Sequence, residues 1–160
     1  MAKAQAIPTG CERVIPNLVI KGAAEAFKFY EKAFGAKEVM RMPGPDGKTI
    51  MHGEFKIGSS LFFMNDEFPK MYSQSPVSLK GTTVALTLYV EDVDKVFKQA
   101  VAAGAKPTMP PENMFWGDRF GKVTDPFGHE WSLLTHVEDV SHEDMARRGQ
   151  EAMKKMMPQQ

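Results

Sequence analysis

The tripeptide Gly35-Ala36-Lys37 recurs as Gly104-Ala105-Lys106, 69 positions later, and each copy closes a run of helical periodicity. An internal repeat constrains a fold more than any single element, because the same supersecondary unit must be built and buried twice. In the first copy Val14–Ile20 is an apolar, β-rich run, and Ala23, Ala26, Phe27, Tyr30, Ala33 and Phe34 then return at helical spacing. Gly35 stops that helix. Ala36–Met42, Thr49–Ile57 and Ser60–Asn65 read as three further strands, the first two joined by Pro43-Gly44-Pro45-Asp46-Gly47. In the second copy Thr82–Val90 alternates, Asp92–Ala103 is helical and ends at Gly104, and Ala105–Met109, Phe120–Thr124 and Glu130–Thr135 supply three strands. The pattern is β-α-β-β-β twice, with a polar, proline-bearing connection over Asp66–Gly81 and a capped tail helix over Ser141–Met157.

A helix covers only one face of a four-stranded sheet. The second face of each module must therefore line a cavity or meet another subunit. The expected fold class is α+β: two tandem βαβββ modules whose mixed sheets curve around a shared cup, plus a C-terminal helix.

Composition removes several function classes. Twenty basic residues balance twenty acidic ones, so no net field favours nucleic acid or an anionic membrane. The one cysteine, Cys11, cannot form an internal disulfide. No signal-peptide pattern or long apolar run occurs, and the expected location is the cytoplasm. A Ser-His-Asp order, a phosphate-cradling glycine loop and a Cys-x-x-Cys pair are all missing from the sequence, which leaves nucleophilic hydrolases, P-loop enzymes and zinc ribbons without support.

The segment Gly22-x4-Phe27-x-Phe29-Tyr30-x3-Phe34-Gly35-Ala36, followed far downstream by Asp125-Pro126-Phe127-Gly128-His129-Glu130-Trp131, resembles the vicinal oxygen chelate superfamily of glyoxalase, bleomycin-resistance and dioxygenase proteins. Residues 114–121 and 135–140 resemble its PhnB-like branch. The resemblance implies a flexible N-terminus over 1–12, one glyoxalase-like domain over 13–140 and a helix and tail over 141–160. Within the domain it implies module one over 13–66, a linker over 67–81 and module two over 82–140. It also implies a divalent-metal site built from His and Glu side chains on the first and last strands of each module. Carried over one by one, those positions fall on Ile15, on Val84 or Ala85, on Phe63 or Met64, and on Ser132, none of which is a strong ligand.

No cofactor is therefore expected, and the metal-ligand set is none. Strand parity sends Leu86, Leu88 and Val90 towards the helix and Ala85, Thr87 and Tyr89 away from it. It likewise sends Met51, Phe55 and Ile57 under the helix and His52, Glu54 and Lys56 to the cup. The expected ligand-binding set is His52, Glu54, Phe63, Tyr89, Trp116 and Arg119, with Arg119 offering a bidentate contact to a carboxylate or phosphate. His136, which ends the last strand, reads as structural. The expectation is a homodimeric binder of a small molecule, with no nucleic-acid or membrane partner. The alternative is a lyase or isomerase of the same superfamily in which His52 or Glu54 acts as acid-base or joins an atypical metal site.

Overall fold

A computed structural model describes residues 5–8, 10, 11 and 14–156. Half of the expected flexible segment 1–12 falls outside them, as does Met157 of the tail helix. Two compact units are present, one running to Thr83 with Pro126–Gly128 added, the other comprising Val84–Asp125 and the residues from His129 onward. The fold class is α+β as expected, with two four-stranded mixed sheets and a C-terminal helix.

In the first unit β1 (Asn17–Ile20), β2 (Lys37–Pro43), β3 (Ile50–Ile57) and β4 (Ser60–Asp66) form a sheet in the order β1-β4-β3-β2, with α1 (Ala23–Phe34) after β1. β1 runs parallel to β4, and the other pairs are antiparallel. α1 lacks a side-chain cap of its own at Gly22. Asp66 at the end of β4 does that work: one carboxylate oxygen accepts the N–H groups of Gly22 and Ala23 at 2.9 and 3.0 Å, and the other accepts that of Ile50 at 2.7 Å. At the other end Gly35 takes the left-handed conformation, with φ 65°, as its place after a helix predicts.

The core beneath α1 is aromatic. Tyr30 stacks on Phe55 at 5.1 Å, Phe55 stacks on Phe62 at 5.0 Å, and Tyr30 and Phe55 are fully buried. Each such ring contributes about 1.5–3 kcal/mol through removal from water. Phe27 can approach β3 because position 53 is glycine: a Cβ there would lie 2.8 Å from the Phe27 ring, over which the Arg41 guanidinium sits 4.5 Å from the centroid. Gly53→Ala is accordingly expected to destabilise the fold by about 1–3 kcal/mol through overpacking. An unchanged urea midpoint would show that the ring moves at no cost.

The second unit repeats the plan with β5 (Ala85–Tyr89), α3 (Val93–Ala103), β6 (Lys106–Asn113), β7 (Asp118–Thr124) and β8 (Glu130–His136) in the order β5-β8-β7-β6. Trp131, Leu133 and Val123 are buried on the helix side. Thr135 ties α3 to the sheet, its hydroxyl accepting the Val93 N–H at 2.8 Å and donating to the Val90 carbonyl at 2.9 Å. α4 (His142–Met156) follows, with the Asp144 N–H donating to the Ser141 hydroxyl at 3.1 Å and Gly149 packed against Phe115.

Several boundaries differ from expectation. β1 and β5 begin three residues later than the apolar runs suggest, with Val14 and Val84 at 84% and 64% exposure. β6 runs on to Asn113 through Pro107, Pro110 and Pro111, which an edge strand tolerates because its outer N–H groups have no partner. Met51 is exposed rather than packed under the helix. Met42 pairs with His52 and Pro43 with Ile50, so Met51 is the extra residue of a bulge, and Ile50 takes the buried position. The connection between the sheets carries a one-turn helix, α2 (Pro76–Leu79), capped by the buried Ser75, where the sequence suggested no regular structure.

Candidate functional site

Each sheet presents one face that its own helix does not cover. On the first sheet that face holds His52 and Glu54 of β3, with Phe63 of β4 opposite Glu54 and Met40 and Met42 of β2 opposite Glu54 and His52. The His52 Nε2 lies 3.1 Å from a Glu54 oxygen, with the two side chains 31% and 24% exposed. The imidazole stands edge-on to Phe63 at 4.9 Å between ring centroids. Three of the residues expected from the sequence therefore make one contiguous cluster: an imidazole oriented by a carboxylate and walled by an aromatic ring.

On the second sheet the centre is Asp118, which is 5% exposed. One of its oxygens accepts the Tyr89 hydroxyl at 2.9 Å and the Trp116 indole N–H at 3.0 Å, and the other lies 2.8 Å from His136 Nδ1. Burial pushes the Asp118 carboxyl upward as the largest single influence, yet the bonds from His136, Tyr89 and Trp116 together outweigh it and hold the group below its ordinary value. His136 is raised, first by its hydrogen bond to Asp139 and then by that to Asp118. Tyr89 is raised by its bond to Asp118, then by burial and by the nearby negative charge. Tyr89 nevertheless keeps 60% of its surface in solvent, so its ring is presented while its hydroxyl is fixed. Trp116 meets Phe120 edge-on at 5.8 Å.

Arg119 goes to the opposite side. Its guanidinium makes a bidentate pair with Asp94 in the first turn of α3, at 2.6 and 2.8 Å, and a third bond to Asn113 at 3.2 Å. The carboxylate it engages is thus internal to the protein. Alternation explains the placement: Arg119, Gly121 and Val123 share a face, and Val123 is core. Counting back from Val123 in the sequence would have given the same answer. Asp118 was not singled out as a site residue, although a carboxylate one step out of phase with Val123, flanked by Trp116, was the available signal. His136 was read as structural at the end of the last strand, and its contact with Asp118 joins it to the cluster.

The divalent metal that the resemblance implies does not fit this donor set. The carried-over positions hold hydrocarbon side chains, the buried thioether of Met64 and the buried hydroxyl of Ser132, none of them a nitrogen or carboxylate donor. Among the described residues no three His, Cys, Asp or Glu side chains converge as a metal site. Among the same residues no helix is long and apolar enough to cross a membrane.

The family model described as Glyoxalase/Bleomycin resistance protein/Dioxygenase superfamily matches residues 14–133. The uncharacterized protein Rv0887c of Mycobacterium tuberculosis is 46% identical over 133 residues, covering 81% of this chain and 78% of its own length. The crystallised At5g48480 product of Arabidopsis thaliana is 27% identical at a TM-score of 0.63, over 77% of this chain and 98% of its own. A Bacillus cereus structure named as a PhnB protein shares the fold, with a TM-score of 0.61, 21% identity, and coverage of 78% of this chain and 99% of its own.

Proposed function

Since the chain belongs to the glyoxalase, bleomycin resistance protein and dioxygenase superfamily, we propose that it binds a small, planar, partly apolar molecule through one or other of its open sheet faces, without a divalent metal. The observation that carries this reading is the make-up of those faces: aromatic rings around one oriented polar pair, where divalent-metal chemistry needs converging nitrogen and oxygen donors. Tyr89 adds a stacking surface whose hydroxyl is already fixed by Asp118, so little side-chain entropy remains to be lost on binding. Within the superfamily we assign the chain to the PhnB-like branch, on the motifs at 114–121 and 135–140 and on fold likeness to the Bacillus cereus protein. The same reading has it act as a homodimer in the cytoplasm.

The test is a thermal-shift screen of planar aromatic and heteroaromatic compounds, followed by calorimetry. A hit is expected to lose about tenfold in affinity, roughly 1.4 kcal/mol, in His52→Ala or Tyr89→Leu. Stoichiometric Zn, Ni, Mn or Fe in the purified protein, or a hit insensitive to both substitutions, would overturn the reading. A second reading, a lyase or isomerase with His52 as general base, is favoured by the 3.1 Å contact to Glu54, because a carboxylate can fix the orientation and tautomer of an imidazole for proton transfer. Any turnover found that survives His52→Ala unchanged removes it.

A further inference from the structure

We propose that Met40, Met42 and His52 form a binding site for a soft monovalent metal ion, Cu(I) or its surrogate Ag(I), on the open face of the first sheet. The inference starts from register. β2 is irregular between Glu38 and Met40 and again between Met42 and Pro43, but regular in between, where Met40 pairs with Glu54, Arg41 with Gly53 and Met42 with His52. Arg41 lies over Phe27 on the helix side, 4.5 Å from the ring centre. Alternation then sends both neighbouring thioethers to the other face, together with His52 and Glu54.

Directly opposed residues of an antiparallel pair hold their Cβ atoms about 4.5–5.5 Å apart, and residues two apart along a strand lie roughly 7 Å apart. Two flexible thioethers and one imidazole can converge on one ion from those positions. Met40 and Met42 are 41% and 46% exposed, so their sulfurs are not consumed by core packing. Thioether sulfur is a soft donor that favours Cu(I), and imidazole suits the same ion, whereas Mg and Ca prefer oxygen. The selectivity rests on sulfur, because His, Cys, Asp and Glu do not cluster in threes among the described residues.

Glu54 completes the arrangement as a positioning residue. With the carboxylate ionised, its contact with His52 is satisfied when Nε2 carries the proton, which leaves the lone pair on Nδ1 for a metal. The Phe63 ring walls the far side of the imidazole. Binding of Cu(I) here requires no change of oxidation state and no bond to break.

The experiment titrates the full chain with Ag(I) in chloride-free buffer, and anaerobically with Cu(I) against the chelator bathocuproine disulfonate, while methionine methyl resonances are followed by NMR. One equivalent is expected to move the Met40 and Met42 methyls and the His52 ring and to leave Met153, exposed in α4, in place. Met40→Leu and Met42→Leu are near-isosteric at exposed positions. Each is expected to weaken Cu(I) binding by roughly tenfold or more, and Glu54→Gln by about tenfold. Zn(II) should not displace the ion. Binding unaltered in both leucine variants, binding lost in Cys11→Ser, or failure to compete with the chelator would each overturn the proposal. Those results read metal alone and leave the compound screen unaffected, so the two readings fail separately.

Discussion

Asp118→Ala is expected to destabilise the protein by about 1.5–3 kcal/mol, because it removes the one buried carboxylate that holds Tyr89, Trp116 and His136 together. The same substitution should alter the pH dependence of stability, and the two shifts fix the direction. The Asp118 carboxyl lies below its ordinary 3.8 in the folded protein, so its contribution is present above that value and is lost as pH falls through the folded one. His136 lies above its ordinary 6.5, so its contribution is complete below 6.5 and is lost as pH rises through the folded value. The cluster is therefore strongest between those ordinary values, and wild-type stability should decline on its alkaline side. Asp139 is the larger influence on His136 but is fully exposed and easily screened, whereas Asp118 is buried, so the salt-resistant part of the coupling belongs to Asp118. Urea midpoints measured from pH 5 to 9 should show a shallower alkaline decline in Asp118→Ala than in the wild type. Equal slopes would mean that His136 draws its stabilisation from elsewhere.

Gly117→Ala is expected to destabilise the protein by about 3–5 kcal/mol, as much as removing a buried core ring. Gly117 has φ 98°, a conformation that disfavours a side chain, and an added Cβ would lie 2.1 Å from the backbone oxygen of Glu138. Retreat is obstructed. The Gly117 carbonyl accepts the N–H groups of Val137 and Glu138 at 2.9 and 3.0 Å, and the Glu138 carboxylate holds Arg148 of α4 through two bonds of 2.9 and 2.7 Å. The strand end that carries His136 and the start of α4 would have to move together. Chemical denaturation measures the loss of stability, and limited proteolysis between Val137 and Ser141 reports release of the segment. A stable variant with an intact cleavage pattern would show that the close approach is not required.

Alternation in a strand is local, and local patterns survived folding wherever the strand was regular. Ala85, Thr87 and Tyr89 are exposed and Leu86 and Leu88 more buried, as the apolar pattern predicts. His52, Glu54 and Phe63 likewise fell on one face. The reading failed where a bulge changed the count, as at Met51, and where a strand extended through prolines, as in β6. Arg119 was misread for another reason: its charge suggested a ligand contact, while its parity already assigned it to the helix side.

The repeated unit, the helix stops at Gly35 and Gly104 and the even charge balance follow from the sequence by itself, since the stops depend on neighbours a few positions away and the repeat and the charge balance need no three-dimensional contact to be read. The Asp118 cluster does not. Its Tyr89 and His136 partners lie 29 and 18 residues from it, on β5 and β8, and only the order β5-β8-β7 brings them to one carboxylate. A sequence gives the capacity of a side chain to donate or accept a hydrogen bond, but the partner is chosen by strand pairing across the sheet, and that pairing is a property of the folded chain.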